Sequence, residues 1–337
     1  MLYITEYPRV YSNGPLNLPI LKKPIIWFKP YLNSFGQILL YRFRVKPQEL
    51  SWAKQFTRQI IRMSDNSEIM VANYSPSHNP LAVVIYLHTI CGDCSQLAHI
   101  AGSLEKNNIA YVTYTRSGND QNLAFNKFNF IGRIDELQLV LKLIQQKYPN
   151  VPIHAIGASA GSALLIRYLG KYNTDKIIRS AVLVSASFHF MRSLACMCQE
   201  SKSYMVNKLK YTARHLPYSN DLKQVNTIDD WINFQSNLLG YNNRDDYIQE
   251  CDPINYLNSI NVPTLCISSL DDPIFTGDIT KTFTNLPERN HNISMVITEY
   301  GGHSMFEDYG HETAWFIRVF CEWLSMRLGI NTDSIKK

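Results

Sequence analysis

A serine hydroxyl is a weak nucleophile near neutral pH, so a serine that does chemistry needs an exposed position, a base, and a group that orients the base. The stretch Ile153-His-Ala-Ile-Gly157-Ala-Ser159-Ala-Gly161 meets the first requirement. Alternating apolar residues lead into the turn, and Leu164, Leu165, Tyr168 and Leu169 leave it at helical spacing. This pattern predicts a short buried strand followed directly by a helix, with Ser159 between them. Gly157 and Gly161 complete a G-x-S-x-G spacing, where a side chain on either glycine would collide with neighbouring backbone. The N–H groups that open the helix point the same way as the serine hydroxyl.

The remaining partners are expected at later strand ends, in the order serine, acid, histidine. Ser269-Leu-Asp271-Asp272-Pro273 follows the apolar run Thr264–Ser269. Asp272, three residues past the strand end and followed by proline, is the predicted acid, with Asp271 the alternative. Tyr300-Gly301-Gly302-His303 follows the next apolar run, and its glycines allow a loop that folds back toward Ser159. His303 is the predicted base. His88, His154 and His189 also sit at strand ends but precede the acid, and are read as structural. An oxyanion would need two N–H donors. Ala160, next to the nucleophile, is the predicted first donor. Ile90 in the loop Leu87–Cys94 is the predicted second, with Thr89 the alternative.

Other segments must hold these loops in place. Gln59–Met63 and Glu68–Tyr74 flank Ser64-Asp65-Asn66-Ser67, a hairpin signal. Leu81–Leu87 and Ile109–Thr115 read as strands buried on both faces. Helices are predicted over Cys94–Lys106 and Phe130–Tyr148, the latter ended by Pro149. Ile178–Ser185, Thr264–Ser269 and Ile293–Thr298 are further strands, and Thr313–Leu328 is a closing helix. Strands alternating with helices predict a doubly wound, mostly parallel sheet. Residues 1–55 read as an N-terminal arm and 56–330 as the main domain. Within it, about 187–258 break the rhythm as a helical insertion over the sheet, rich in Met, Cys and aromatic residues.

The 337 residues are 45% hydrophobic and 18% charged, as expected of a globular domain. A net charge of +5 without a dense Lys/Arg block argues against nucleic-acid binding, and leaves open peripheral contact with an anionic membrane through the arm or the insertion. Seven irregularly spaced cysteines point to reduced thiols and a cytoplasmic, membrane-peripheral setting at most. Met1–Val10 holds Glu6, Pro8 and Arg9 rather than an apolar core, so no secretory signal is read there. The apolar stretch Pro24–Val45 is interrupted by Lys29, Pro30, Arg42 and Arg44, which makes it too short to span a bilayer. A rival motif, Cys91-Gly92-Asp93-Cys94, has the spacing of a redox or metal site. It would leave the serine, aspartate and histidine loops without a role, and no histidine lies at zinc-like spacing from it.

Taken in order, Leu87-His88-x-x-x-Gly92, Gly157-x-Ser159-x-Gly161, Val262-Pro-Thr-Leu265 before Asp271-Asp272-Pro273, and Gly301-Gly302-His303 resemble the α/β-hydrolase superfamily. More narrowly they are similar to its type-4 family of YheT-like hydrolases and eukaryotic membrane-associated lipases. Asp135-Glu-Leu137, Gly240-Tyr with Asp246-Tyr247, and Pro253-Ile before Ile260-Asn-Val-Pro263 add to the likeness, which covers about 55–328. The resemblance implies an α/β-hydrolase fold and a carboxylic-ester or lipid acyl hydrolase. Its triad would be Ser159, Asp272 and His303, with no cofactor or metal and a small-molecule ester as partner. The chain departs from the pattern at Thr89, where the family has glycine, and resembles the Asn-x-Arg-Gly segment only partly at Tyr114–Asn119. A β-branched residue resists backbone angles that glycine accepts. Thr89 therefore motivates an alternative expectation, a catalytically impaired fold that binds a lipid or a protein.

Overall fold

The computed structural model describes residues 3–6, 8–13, 16, 18, 21–24, 41–124, 127–304, 306 and 314–330. Of the predicted arm, 24 of the 55 residues, and most of Pro24–Val45, lie outside these residues. Strands β1 (Tyr3–Glu6) and β3 (Leu21–Pro24) pair with each other, antiparallel. The remaining strands are β2 (Arg9–Tyr11), β4 (Thr57–Arg62), β5 (Glu68–Tyr74), β6 (Ala82–Leu87), β7 (Ile109–Thr115), β8 (Ile153–Ala158), β9 (Ile178–Val184), β10 (Thr264–Ser269) and β11 (Ile293–Thr298). They form one nine-stranded sheet in the order β2-β11-β10-β9-β8-β6-β7-β5-β4.

The six strands from β7 to β11 in that order run parallel. The β4–β5 hairpin and β2 close the two edges antiparallel. Asn66 takes the left-handed conformation that the hairpin turn requires. The parallel strands are almost wholly buried, which explains why their sequences are nearly continuous apolar runs. After β6 the chain adds β7 on one side and β8 on the other. The carboxyl ends of β6 and β8 thus flank the crevice where strand order reverses, the usual place for a ligand in an open α/β sheet.

Helices α1 (Lys46–Ala53), α2 (Ile100–Glu105), α3 (Asp135–Lys147) and α4 (Ala160–Lys171) precede β9. The stretch between β9 and β10 carries α5 (Phe190–Cys196), α6 (Gln199–Ala213), α7 (Ile228–Leu239) and α8 (Arg244–Cys251). Short helices α9 (Gly277–Lys281) and α10 (Leu286–Arg289) and the long α11 (Trp315–Leu328) complete the set among the described residues. Leu137, Val140 and Leu141 of α3, with Leu164 and Leu165 of α4, cover one face of the sheet. Ile100 and Leu104 of α2, with Trp315, Phe320 and Trp323 of α11, cover the other. The two faces are therefore both dry, as a doubly wound sheet demands.

A third apolar cluster is built around the fully buried Trp231 of α7, which meets Phe128 and Phe130 edge-on at 5.4 and 6.5 Å between ring centroids. It also takes in Ala160 and Ala163 at the start of α4, with Ile90, Cys91 and Ile274 at its border. Both ends of the α5–α8 stretch are tied together. Asp252 accepts from the Phe190 N–H at 2.9 Å, and its other oxygen lies 2.9 Å from His189 Nδ1.

Two helix boundaries differ from the sequence expectation. Cys94–His99 form turns rather than the start of a helix. Leu97 there has φ 62°, and its N–H donates to the buried carboxylate of Glu49 at 2.6 Å. The helix expected from Phe130 begins at Asp135. Asn129 bonds both the N–H and the carbonyl of Arg133, fixing a loop that sends Phe128, Phe130 and Ile131 toward Trp231. Phe130 and Ile131 are buried against the third cluster, whereas the periodic residues from Ile134 onward pack on the sheet.

Candidate active site

Ser159 stands between the last residue of β8 and the first of α4, at φ 53° and ψ −117°. A non-glycine residue held there is strained, and the surrounding bonds enforce it. The Ser159 N–H donates to the Val184 carbonyl at 2.9 Å, and the Ser162 hydroxyl donates to the Gly157 carbonyl at 2.6 Å. The glycines act as expected from their spacing. A Cβ on Gly161 would come 2.1 Å from the Leu87 carbonyl oxygen, and one on Gly157 would come 2.8 Å from the Gly161 oxygen. Without side chains at these positions, α4 packs directly against the end of β6.

The loops after β10 and β11 bring two further groups to this point. His303 Nε2 lies 2.8 Å from Ser159 Oγ, and His303 Nδ1 lies 2.8 Å from Asp272 Oδ2. The other Asp272 oxygen accepts from the N–H groups of Ile274 and Phe275 at 2.7 and 2.9 Å. Asp272 is thus buried, locked and aimed. The Phe275 ring meets the imidazole edge-on, 5.1 Å between centroids, and limits its rotation. With Asp272 accepting, Nδ1 carries the proton and Nε2 is left to accept from Ser159.

The adjacent aspartates divide the work. Asp271 Oδ1 accepts from the Gly301 and Gly302 N–H groups at 2.7 and 2.8 Å. It braces the loop that carries His303 and is not the residue that meets the imidazole. The Ser269 hydroxyl holds the Gly302 carbonyl, and the Ser185 hydroxyl accepts from the Ser304 N–H, both at 2.9 Å. Sequence reasoning did not single out Ser185, Ser269 or Phe275 for a role in placing the histidine. The glycine pair hinted at a folded-back loop, but the bonds that shape it come from the ends of two other strands, β9 and β10.

The loop after β6 lies beside Ser159. The Thr89 N–H donates to Gln96 Oε1 at 2.9 Å, so that N–H is already engaged. Among the described residues, neither the Ile90 nor the Ala160 N–H takes part in a turn, ladder or capping bond. Ala160 has no acceptor within its helix because it opens the first turn. The Thr89 carbonyl accepts from Arg116 Nη2 at 2.8 Å and from the His88 ring at 2.7 Å. Arg116 is fully buried, and its own N–H donates to His88 Nε2 at 3.2 Å. Burial, reinforced by the Arg116 charge, pushes the His88 pKa down to about 3, so the ring is neutral. The expectation that His88 is structural therefore needs refining, because the ring shapes the loop beside the serine. Arg116 is the arginine of the partial Asn-x-Arg-Gly likeness, a signal that gave it no role in this loop.

Burial pushes the Cys91 and Cys94 thiols up, the opposite of an activated thiolate. All seven cysteines are free. Among the described residues, no group of three His, Cys, Asp or Glu side chains is arranged to hold a metal ion.

A doubly wound sheet, a strained serine at the strand–helix turn after β8, and loops from β10 and β11 converging on it define the α/β-hydrolase fold. Residues 78–241 match the family model Hydrolase_4, described as serine aminopeptidase, S33. Phospholipase ABHD3 from Bos taurus is 24% identical over 333 residues, 89% of this chain and 77% of that protein. A protein named "Putative esterase YheT" from Escherichia coli (strain K12) is 25% identical over 275 residues, 74% of this chain and 78% of that one. These relatives agree with the type-4, YheT-like likeness read from the motifs. Among solved structures, the Pyrococcus furiosus esterase Pf2001 superposes with a TM-score of 0.51 at 19% identity, covering 84% of this chain and 91% of that one. The acylaminoacyl peptidase of Pyrococcus horikoshii does so with a TM-score of 0.53 at 14% identity, covering 89% and 46%. Likeness to an esterase and to a peptidase alike establishes the fold and leaves the reaction to the site.

Proposed function

We propose that this protein is a serine hydrolase of carboxylic esters, with lipid or medium-chain acyl esters as substrates. The observation that carries the reading is the chain Ser159 Oγ, His303 Nε2, His303 Nδ1, Asp272 Oδ2, each link 2.8 Å. In the first half-reaction Ser159 Oγ attacks the acyl carbon and His303 Nε2 takes its proton. Asp272 stabilises the imidazolium and holds its tautomer. The carbonyl oxygen, now negative, is met by the Ala160 and Ile90 N–H groups. As the ester C–O bond breaks, the imidazolium returns its proton to the departing alkoxide. Water then attacks the acyl-enzyme with His303 again as base, releasing the acid and restoring Ser159.

Two observations favour an apolar acyl group. The third cluster borders Ser159 through Ala160, and Ile90 and Ile274 line its edge. The relatives bear the names phospholipase, esterase and, for ABHD2 of Homo sapiens, monoacylglycerol lipase. In this reading α5–α8 are the cap that shapes the acyl site. Thr89 does not favour the impaired alternative, since its N–H and carbonyl are both held by side chains, those of Gln96 and Arg116, which leaves Ile90 as the loop's donor.

A fluorophosphonate probe tests the reading, because it reacts only with an activated serine. Mass spectrometry should locate the adduct on Ser159, and Ser159→Ala should remove both adduct and ester turnover. A folded wild-type protein that takes no label would end the hydrolase reading.

A further inference from the structure

The positive charge of this chain is not evenly spread. Residues 188–220, which span α5, α6 and the turn after them, hold Arg192, Lys202, Lys208, Lys210 and Arg214 against the single carboxylate Glu200. Five cations against one anion give +4, out of +5 for the whole chain. Residues 1–62 carry a larger excess, ten Lys/Arg against two carboxylates, so α6 is one of two basic regions of the chain, and the one that lies beside the candidate site.

The same helix carries exposed aromatic surface. Tyr204 is 54% and Tyr211 is 66% exposed. Seven residues apart, they fall on one stripe of α6, with Lys208 between them. Val206, Leu209 and Ala213 lie on the opposite, buried side. The Lys208 ammonium sits 5.9 Å from the Tyr204 ring centre, and the Arg214 guanidinium stacks 3.6 Å from that of Tyr211. Amphipathic tyrosine rings interleaved with cations are the composition of a surface that rests at the boundary between lipid headgroups and acyl chains.

The position of α6 adds a direction. The Cys91 thiol lies 3.8 Å from the Lys208 carbonyl and bonds the Thr212 hydroxyl. Cys91 is the neighbour of Ile90, so the flank of α6 at Lys208 and Thr212, next to the stripe that carries the tyrosines, touches the loop beside Ser159. A bilayer against that stripe would lie next to the opening above the carboxyl ends of the strands.

We infer that the outer face of α6, centred on Tyr204, Lys208 and Tyr211 with Lys202 and Arg214 at its margins, docks the protein on an anionic lipid surface. No helix among the described residues is long and apolar enough to cross a membrane, and the contact is peripheral. The orientation it gives the site rests on the lipid-ester reading above, whereas the binding itself does not.

Cosedimentation of the full chain with vesicles tests this, comparing phosphatidylcholine alone with phosphatidylcholine containing phosphatidylserine. Wild type and Ser159→Ala should both bind the anionic vesicles and release them as ionic strength rises. Combined Lys202→Glu, Lys208→Glu and Arg214→Glu should lower partitioning by about tenfold or more. Tyr204→Ser with Tyr211→Ser should weaken it without changing its salt dependence. Both variants should keep wild-type thermal unfolding and wild-type turnover of a water-soluble short-chain nitrophenyl ester. Binding that is absent, indifferent to phosphatidylserine, or unchanged by the charge reversal overturns the proposal. Loss of fluorophosphonate labelling with vesicle binding intact would instead fail the hydrolase reading and leave the docking face standing.

Discussion

Two neighbouring carboxylates, Asp271 and Asp272, are both buried, yet they answer to different donors. Asp272 faces an imidazole with one oxygen and two backbone N–H groups with the other. In Asp272→Asn the amide oxygen stays with those N–H groups, which leaves the NH2 facing His303. An NH2 there forces the tautomer in which Nε2 carries the proton and cannot accept from Ser159. Turnover should fall about 10³–10⁴-fold with little change in unfolding temperature. Asp271→Asn keeps only one acceptor oxygen, uncharged, for the Gly301 and Gly302 N–H groups. It should destabilise by about 1.5–3 kcal/mol, because charge-assisted bonds are the stronger kind, and lower turnover far less. Steady-state kinetics and denaturant unfolding on the two variants separate the roles. If Asp271→Asn proved the more damaging to turnover, the assignment would be reversed.

At the level of elements, the contact that matters most is the approach of α4 to β6. Gly161 touches the Leu87 and His88 carbonyls, and the loop those carbonyls begin includes Ile90. A Cβ at Gly161 would stand 2.1 Å from the Leu87 oxygen, so Gly161→Ala must separate the helix from the strand by about an ångström. The expected outcome is a loss of about 1–3 kcal/mol in stability together with reduced kcat, since Ser159 and Ile90 sit on opposite sides of the displaced contact. Gly240→Ala, at a helix end with open space around it, tests only backbone strain and should leave kcat unchanged. Equal kcat in both variants would show that the α4–β6 contact does not set the site.

At the scale of the molecule, three histidines among the described residues are buried as neutral rings. Burial lowers the pKa of His88 to about 3, with the Arg116 charge adding to the effect, and lowers His99 and His154 to about 4. An unfolded histidine titrates near 6.5. Above that value both states are neutral and stability is at its full level. As pH falls from about 6.5 toward 4, the unfolded chain takes up protons that the folded one refuses, so stability declines. Each histidine contributes a slope of up to about 1.4 kcal/mol per pH unit in that window. Urea unfolding between pH 7 and about 5.5, above the range where ordinary carboxylates protonate, should show the onset of the decline. His154→Asn should make it shallower, and a flat profile in wild type would contradict the neutral burial of these rings.

What the sequence determined by itself was whatever depends on local pattern. Continuous apolar runs marked the parallel strands, because a strand covered on both faces has no polar side to show. Gly157 and Gly161 marked the turn, because the tightness of that bend excludes a Cβ. Chain order then pointed to Asp272 and His303, since strand ends in this topology face one crevice. The tertiary structure alone decided which oxygen meets which donor. Asp271 and Asp272 are the same residue type in the same loop, and only the position of the β11 loop distinguishes them. Arg116 and His88 both lay in motif segments of the sequence, but only the fold shows that they hold the Thr89 carbonyl. The helix starts near Cys94 and Phe130 were misplaced for a related reason. Glu49 and Trp231, distant in the chain, claim Leu97 and Phe130 through contacts that no local periodicity records.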